Sequence, residues 1–517
     1  MEAKQLHTAP RRGRHRTAFR HRRLSDDIVR AVFASATPLR CPREMVRAGL
    51  RRVNGISSPE GREALRQGES FVSVADGLTG GEHSPLLKWD LPYLQRYLPK
   101  DMDFPVLHRG TGKIIMTHSN RYMTTAQAQQ ALDAGATLAN STKSEQRFAP
   151  VRRVMMSFDD FVSATDAHRS AHARGEADCG DPPYFGSDLL WRTSMADNGS
   201  IQNIGEQLKR DLLQGANFSC LKRLQADGDL PPWKQVHLFV GSERTLYHCH
   251  YDLQPNLHVQ LVGRKRFILF PPEETSKLYP FPVHHEYDRR SQVDLDNVDE
   301  GLHPGCTSAK GVVVELQPNE LLYIPPGWWH HVQTCTTPCV SMAWWFYERL
   351  TASDEHDLNG FDESPVGTGT FGLNTRARQL ILSRWLEECI GRLIEPIAEE
   401  RGELLGDTQQ AKQRGAMWAG PRTEAAVAKW LLCLGMRAAA RLAGSGRRED
   451  ARGLLPEDVT ATVDELQVAL PPLQEGIGIE MLEEMVSERA ALEIGTEGAV
   501  DGWMVRALRW RGLDRPP

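Results

Sequence analysis

Between Val236 and Phe346 the chain breaks into short apolar runs, "VHLFVG", "LHVQLVG", "RFILF", "GVVVEL", "ELLYIP" and "VSMAWWFY", divided by proline, glycine, asparagine and aspartate. The runs are too short for buried helices and are crowded with β-branched and aromatic residues, so each predicts a strand. Short strands at this spacing predict a sandwich or a barrel. Upstream, residues 86–235 mix the two periods: "LLKWDLPYLQRYLP" (Leu86–Pro99) places Tyr93, Leu94 and Leu98 at helical spacing, and "GKIIM" is a short strand-like run. Downstream of Leu350, "RARQLILSRWLEECIGRLIEPIAEE" (Arg376–Glu400) and two further segments repeat apolar residues at helical intervals. The expected organisation is a basic, largely disordered extension over residues 1–85, a mixed supporting segment over 86–235, a β core over 236–350 and a helical region over 351–517.

A chain of 517 residues has room for two or three such units. Its net charge of -5 argues against a general polyanion binder, so nucleic acid is not an expected partner. Nine scattered cysteines without a C-x-x-C pair point to reduced thiols in an intracellular compartment, cytoplasmic or nuclear. The most apolar stretch, Ala425–Gly444, is interrupted by Lys429, Arg437 and Arg441, so no membrane span is expected. The arginines between Arg11 and Arg23 fit a solvated arm, a nuclear or nucleic-acid patch, or an organellar transit peptide.

The chemistry concentrates in "LYHCHYDLQPNLHVQLVGRKRFILFPP" (residues 246–272). On a strand, His248, His250 and Asp252 project to one face, and a further histidine follows the strand signature in "NELLYIPPGWWHHV" (Asn319–Val332). Two histidines and a carboxylate on one face of an octahedral metal form the facial triad of non-haem Fe(II) oxygenases. The alternative is that the strand histidines only pack. Lys265, after the turn at Gly263, could pair with a carboxylate; equally, it could be a solvated lysine at a strand end.

The segments "HYDLQPNLHVQLVGRKRFILFPP", "LYPFPVHHEYDRRSQVDLDN", "YIPPGWWHHV" and "WWFY" together resemble the JmjC-type oxygenases dependent on Fe(II) and 2-oxoglutarate, and within them asparaginyl hydroxylases of the kind that inhibits hypoxia-inducible factor. The resemblance covers about half the chain, with fainter likeness at "WDLPYLQ", "MSFDDFV" and "PYFGSDLL". It implies an α+β protein: a double-stranded β-helix (cupin) core with flanking helices and a helical C-terminal region. It implies a metal triad of His250, Asp252 and His330, with His331 packing on the opposite side and His248 at the pocket edge. Lys265 and Tyr184 match the pair that holds the far carboxylate of 2-oxoglutarate, and Asn256, His258 and Val332 match the pocket lining. Tyr247 stands where a threonine binds 2-oxoglutarate, and Trp344 where many relatives place an asparagine near the metal. Gln254 and Arg289 match residues beside the peptide groove, and Gly186 replaces a substrate-binding glutamine.

The implied cofactors are Fe(II), 2-oxoglutarate and O2, with succinate and CO2 as coproducts. The implied partner is a protein or peptide substrate, with a possible homodimer through Arg376–Glu400. A JmjC lysine demethylase and a weakly active or inactive cupin-fold binding protein are the alternative readings.

Overall fold

A computed structural model describes residues 41–109, 149–176, 182–191, 204–346, 421–444, 478–494 and 497–510, with 82, 282 and 284–287 excepted, and shorter pieces that include most of 379–393. The arginine-rich segment before Arg23 lies outside the described residues.

Strands β1 (Val46–Ala48), β2 (Arg52–Val53), β3 (Phe71–Val74), β4 (Asp103–Arg109), β5 (Ile114–Ile115), β6 (Ala149–Ser157), β7 (Tyr184–Trp191) and β8 (Ser200–Ile201) precede the predicted core. The core itself is β9 (Trp233–Gly241), β10 (Leu246–Tyr251), β11 (Asn256–Val262), β12 (Lys265–Phe270), β13 (Gly311–Leu316), β14 (Glu320–Ile324), β15 (Trp329–Thr334) and β16 (Cys339–Phe346). Every apolar run quoted from this region therefore overlaps a strand along most of its length.

From β9 to β16 the chain crosses repeatedly between two sheets. One sheet has the order β1-β13-β12-β15-β10; the other runs β2-β3-β14-β11-β16-β9-β7-β4-β6-β5, with β8 beside β7. Such winding is that of a cupin core, and the α+β double-stranded β-helix expectation holds. The side chains that face inward from both sheets enclose one pocket.

Packing on the outer faces follows from strand alternation. Behind the larger sheet, Val236, Leu238, Leu257, Val259, Met342 and Trp344 are buried against helices Leu91–Tyr97, Phe158–Ala173 and Glu206–Gly215. The first of these helices opens on Asp90, whose Oδ1 accepts the Tyr93 amide at 2.9 Å. It is tied down where the Trp89 indole and the Tyr93 hydroxyl both donate to Asp211 Oδ2, at 3.1 and 2.7 Å. Behind the smaller sheet, Ile268, Phe270, Val313 and Trp329 share a core with helices Pro421–Gly444, Ile479–Ile494 and Glu497–Trp510, and with helical residues between 379 and 393. Period-two alternation thus builds two hydrophobic layers on the outer faces, while Phe267, Leu269, Val314, Leu316, Leu322 and Ile324 form a smaller apolar cluster between the sheets beside the pocket.

Two expectations change. Residues 41–85 are ordered: β1 pairs with β13 and β3 pairs with β14, adding an edge to each sheet. Their strands are two to four residues long, too short for alternation to register in the sequence. The apolar positions of the 376–400 segment, expected as a homodimer face, are buried within the single chain at Leu382, Leu386 and Ile390.

Candidate metal and cosubstrate site

Strands β10 and β15 set the centre of the pocket. They pair antiparallel with His250 opposite His330, but between Tyr247 and His250 the register slips by one residue, a β-bulge. The bulge turns both Tyr247 and His250 into the pocket. His248 is turned out of it and buried at the back, where its Nε2–H donates to the Ser291 carbonyl at 2.9 Å. The simple alternation that put His248 on the His250 face fails here because a bulge adds a residue to one strand.

Asp252 follows β10 directly. One ligand atom from each of His250, Asp252 and His330 lies within 4.8 Å of the others. His330 Nε2 is 3.3 Å and His250 Nε2 3.9 Å from Asp252 Oδ2, an oxygen that is buried and accepts no hydrogen bond. The histidine tautomers are fixed from behind: His250 Nδ1 donates to the His248 carbonyl at 2.7 Å, and His330 Nδ1 to the Trp328 carbonyl at 3.0 Å. A carbonyl only accepts, so each Nδ1 carries a hydrogen and each Nε2 is the ring atom turned inward. Burial holds His250 well below the usual imidazole pKa, and neighbouring His330 and Arg290 push the same way, so its ring is neutral at pH 7. Two imidazole Nε2 atoms and an orphaned carboxylate oxygen converging on one point fit a divalent cation.

The pocket has a volume of about 570 Å³. Away from the triad, Lys265 enters from β12 and is 1% exposed. Its Nζ donates to the Tyr184 hydroxyl at 3.0 Å and to Ser341 Oγ at 2.7 Å, and lies 5.1 Å from the centre of the Phe239 ring. Burial pulls its pKa down to about 8. It is therefore a buried cation and not a solvated strand-end lysine. Three neutral or aromatic neighbours leave its charge uncompensated, which fits a small carboxylate ligand. Gly263, at φ +72, makes the turn that starts β12; a Cβ there would collide with Thr336 Oγ1 and the Pro338 carbonyl.

Asn256 and His258 line the pocket from β11, with Asn256 Oδ1 and His258 Nε2 buried without hydrogen bonds. Burial, then Lys265, holds His258 neutral. Val332, Gln254 and Arg289 also line the pocket, the last with Nη1 3.9 Å from Asp252 Oδ1. His331 is buried facing away from the pocket, as expected. Trp344 is the exception among the expected cofactor contacts. Cross-strand pairing puts Trp345 opposite Asn256 and Ala343 opposite His258, so those two positions face inward and Trp344, fully buried, points into the outer core. Trp345 is the tryptophan that lines the pocket.

Sequence reasoning missed Ser341, Arg290, Asp188 and His237. Ser341 alternates correctly with Trp345 on β16, a signal the segment "VSMAWWFY" contained. His237 Nδ1 sits 2.7 Å from Asp188 Oδ1 at the pocket wall. A Cβ on Gly186 would come within 3.0 Å of His237 Nε2, so the glycine makes room for this pair.

Comparison with known proteins agrees with the fold. Residues 90–352 match the family described as "Cupin-like domain". The chain is 33% identical over 150 residues to Lysine-specific demethylase JMJ30 of Arabidopsis thaliana, covering 28% of this chain and 35% of that protein. It is 32% identical over 121 residues to Jumonji C domain-containing protein 5 of Drosophila melanogaster, covering 23% and 29%. With HSPB1-associated protein 1 of Homo sapiens it shares 36% identity over 139 residues, 26% of this chain and 28% of that protein. In each case the match spans about a third of the relative's length or less. With half its length matched and a triad of the oxygenase type at the centre, the chain belongs to the cupin-like domain family, with a core of the JmjC type.

Proposed function

We propose that the protein is an Fe(II)- and 2-oxoglutarate-dependent oxygenase that hydroxylates a protein side chain, with residues 236–350 as its catalytic core. The observation that carries this reading is the pairing, in one pocket, of a metal-ligand triad with a buried lysine. His250, Asp252 and His330 would hold the iron; Lys265, Tyr184 and Ser341 would hold the far carboxylate of 2-oxoglutarate. Bound iron would supply the oxidation in which substrate, O2 and 2-oxoglutarate give hydroxylated substrate, succinate and CO2. The residues of the chain position and shield: Nε2 of both histidines is aimed inward by backbone carbonyls, and Phe239, Tyr247 and Trp345 wall the cavity.

Lysine demethylation is the second reading, favoured by the name of the Arabidopsis relative. Succinate release from 2-oxoglutarate, measured with Fe(II), ascorbate and histone or other peptide panels, tests both. A peptide gaining one oxygen supports hydroxylation, and one losing a methylene supports demethylation. Absence of any 2-oxoglutarate turnover, with or without peptide, overturns the enzyme reading and leaves a cupin-fold binding protein.

A further inference from the structure

We infer that Arg290 is the recognition group for a carboxylate on the substrate, so that the side chain presented to the metal is acidic. The inference rests on the oxygenase reading above and adds the substrate class to it.

Arg290 is 3% exposed and lines the pocket. Its placement is built by the backbone. Residues 289–291 run beside β10: the Tyr251 amide donates to the Arg289 carbonyl at 3.0 Å, the Ser291 amide donates to the Cys249 carbonyl at 2.9 Å, and His250 and Arg290 form an antiparallel bridge. Directly bridged residues project to the same face, which sends the guanidinium to the side of His250 that faces the metal site. Arg289, at φ +63, breaks the alternation, and both arginines line the cavity as a result.

Among the described residues, no carboxylate hydrogen-bonds to the guanidinium. It lies over the Tyr247 ring, 5.9 Å from its centre, and hydrogen-bonds that residue, but Nε and Nη1 are buried without an acceptor. Leaving buried donors of a charged group unmet is costly, and a ligand that accepts from them recovers the cost on binding. Among the described residues, the acids nearby are committed. Asp288 is clamped by both Arg384 nitrogens, at 2.6 and 2.8 Å. Asp252 belongs to the metal triad. The cosubstrate's two ends are also committed, one to Lys265 and the other to the metal. What remains is a carboxylate brought by the substrate, whose planar pair of oxygens suits a guanidinium better than an ammonium. Held there, an aspartyl or glutamyl side chain has its neighbouring methylene on the His250 side of the pocket. An asparaginyl amide offers one acceptor and adds donors where donors are already in excess.

The test uses the full chain loaded with Mn(II) and 2-oxoglutarate, so that nothing turns over, and two small probes, N-acetyl-aspartate N-methylamide and its asparagine counterpart. Binding is read as proton relaxation of each probe by the bound Mn(II). The acid is expected to bind about tenfold more tightly than the amide. Arg290→Gln is expected to remove that preference while leaving 2-oxoglutarate affinity within about twofold, and Arg290→Lys to keep part of it. The comparison of the two probes on the wild-type protein stands even where a variant folds poorly. Equal binding of acid and amide by the loaded wild type overturns the inference, as does a preference that survives Arg290→Gln. A loss of 2-oxoglutarate binding in Arg290→Gln as large as the loss of the acid overturns it too, because the carboxylate is then the cosubstrate's. If Mn(II) and 2-oxoglutarate fail to bind the wild type at all, the oxygenase reading itself falls and takes the inference with it.

Discussion

At the scale of single residues, Lys265 has the most measurable behaviour. Its pKa in the folded protein is near 8 against an ordinary 10.5, with burial as the main cause. Carboxylate binding needs its charged form, so 2-oxoglutarate affinity of the metal-loaded protein should weaken as pH rises through about 8, by calorimetry across pH 7 to 9.5. Stability moves the other way. Between the folded and unfolded pKa values the unfolded chain binds the additional proton, so unfolding of the apo-protein becomes harder as pH rises from about 8 to 10.5. Lys265→Met should abolish the first dependence and flatten the second. How much of this was legible in the sequence differs by residue. His250, Asp252, His330 and Lys265 were readable because the segments that carry them, "HYDLQPNLHVQLVGRKRFILFPP" and "YIPPGWWHHV", resemble the JmjC-type oxygenases, whereas alternation alone grouped His248 with them and left the role of Lys265 open. His248 and Trp344 were misread for a common reason: a one-residue change of register reverses a strand's facing, and neither the bulge at Tyr247 nor the phase of "AWWF" carries a compositional mark.

At the scale of elements, the helical residues between 379 and 393 reach across to the pocket's edge. Arg384 donates to both carboxylate oxygens of Asp288 and, at 3.0 Å, to the Tyr251 hydroxyl, while Glu387 accepts the Val283 amide at 3.0 Å. The segment that carries Arg289 and Arg290 is therefore held by the C-terminal region. Arg384→Met should raise the KM for a protein substrate several-fold and leave Mn(II) and 2-oxoglutarate affinities unchanged. It should also cost about 2 kcal/mol of stability. A double-mutant cycle with Asp288→Asn checks the pairing, since Arg384→Met on an Asp288→Asn background should add little. Amphipathic spacing pointed to the helical residues described between 379 and 393, but the sequence could not say what their apolar face covers. A stripe of Leu382, Leu386 and Ile390 is equally suited to a second copy or to the chain's own barrel.

At the scale of the molecule, the metal and the fold should be thermodynamically linked. The unfolded chain does not hold His250, Asp252 and His330 together, so a cation at one hundred times its Kd should add about 2.7 kcal/mol to stability. Thermal melts with Mn(II), Co(II) or Zn(II) should show the increase in wild type and lose it in Asp252→Ala and His330→Ala. A melt indifferent to all three cations would count against the triad as a metal site. The β core was legible because its strands are long enough and apolar enough to stand out between turn residues. The edge strands of residues 41–85 were not, since two to four residues carry no period, and their pairing to β13 and β14 is a matter of tertiary contact.

The repeated crossing of the chain between the two sheets also bears on how the protein is made. Its core pairings join positions far apart in sequence: β10 lies on β15, β3 on β14 and β1 on β13. Such topologies close large loops before most contacts form and fold slowly for that reason. His330 meets its partners only when β15 docks between β12 and β10, and β15 is nearly the last core strand to be synthesised. Cation binding followed in real time during refolding should accordingly arrive with the final cooperative phase and report completion of the barrel, not its collapse.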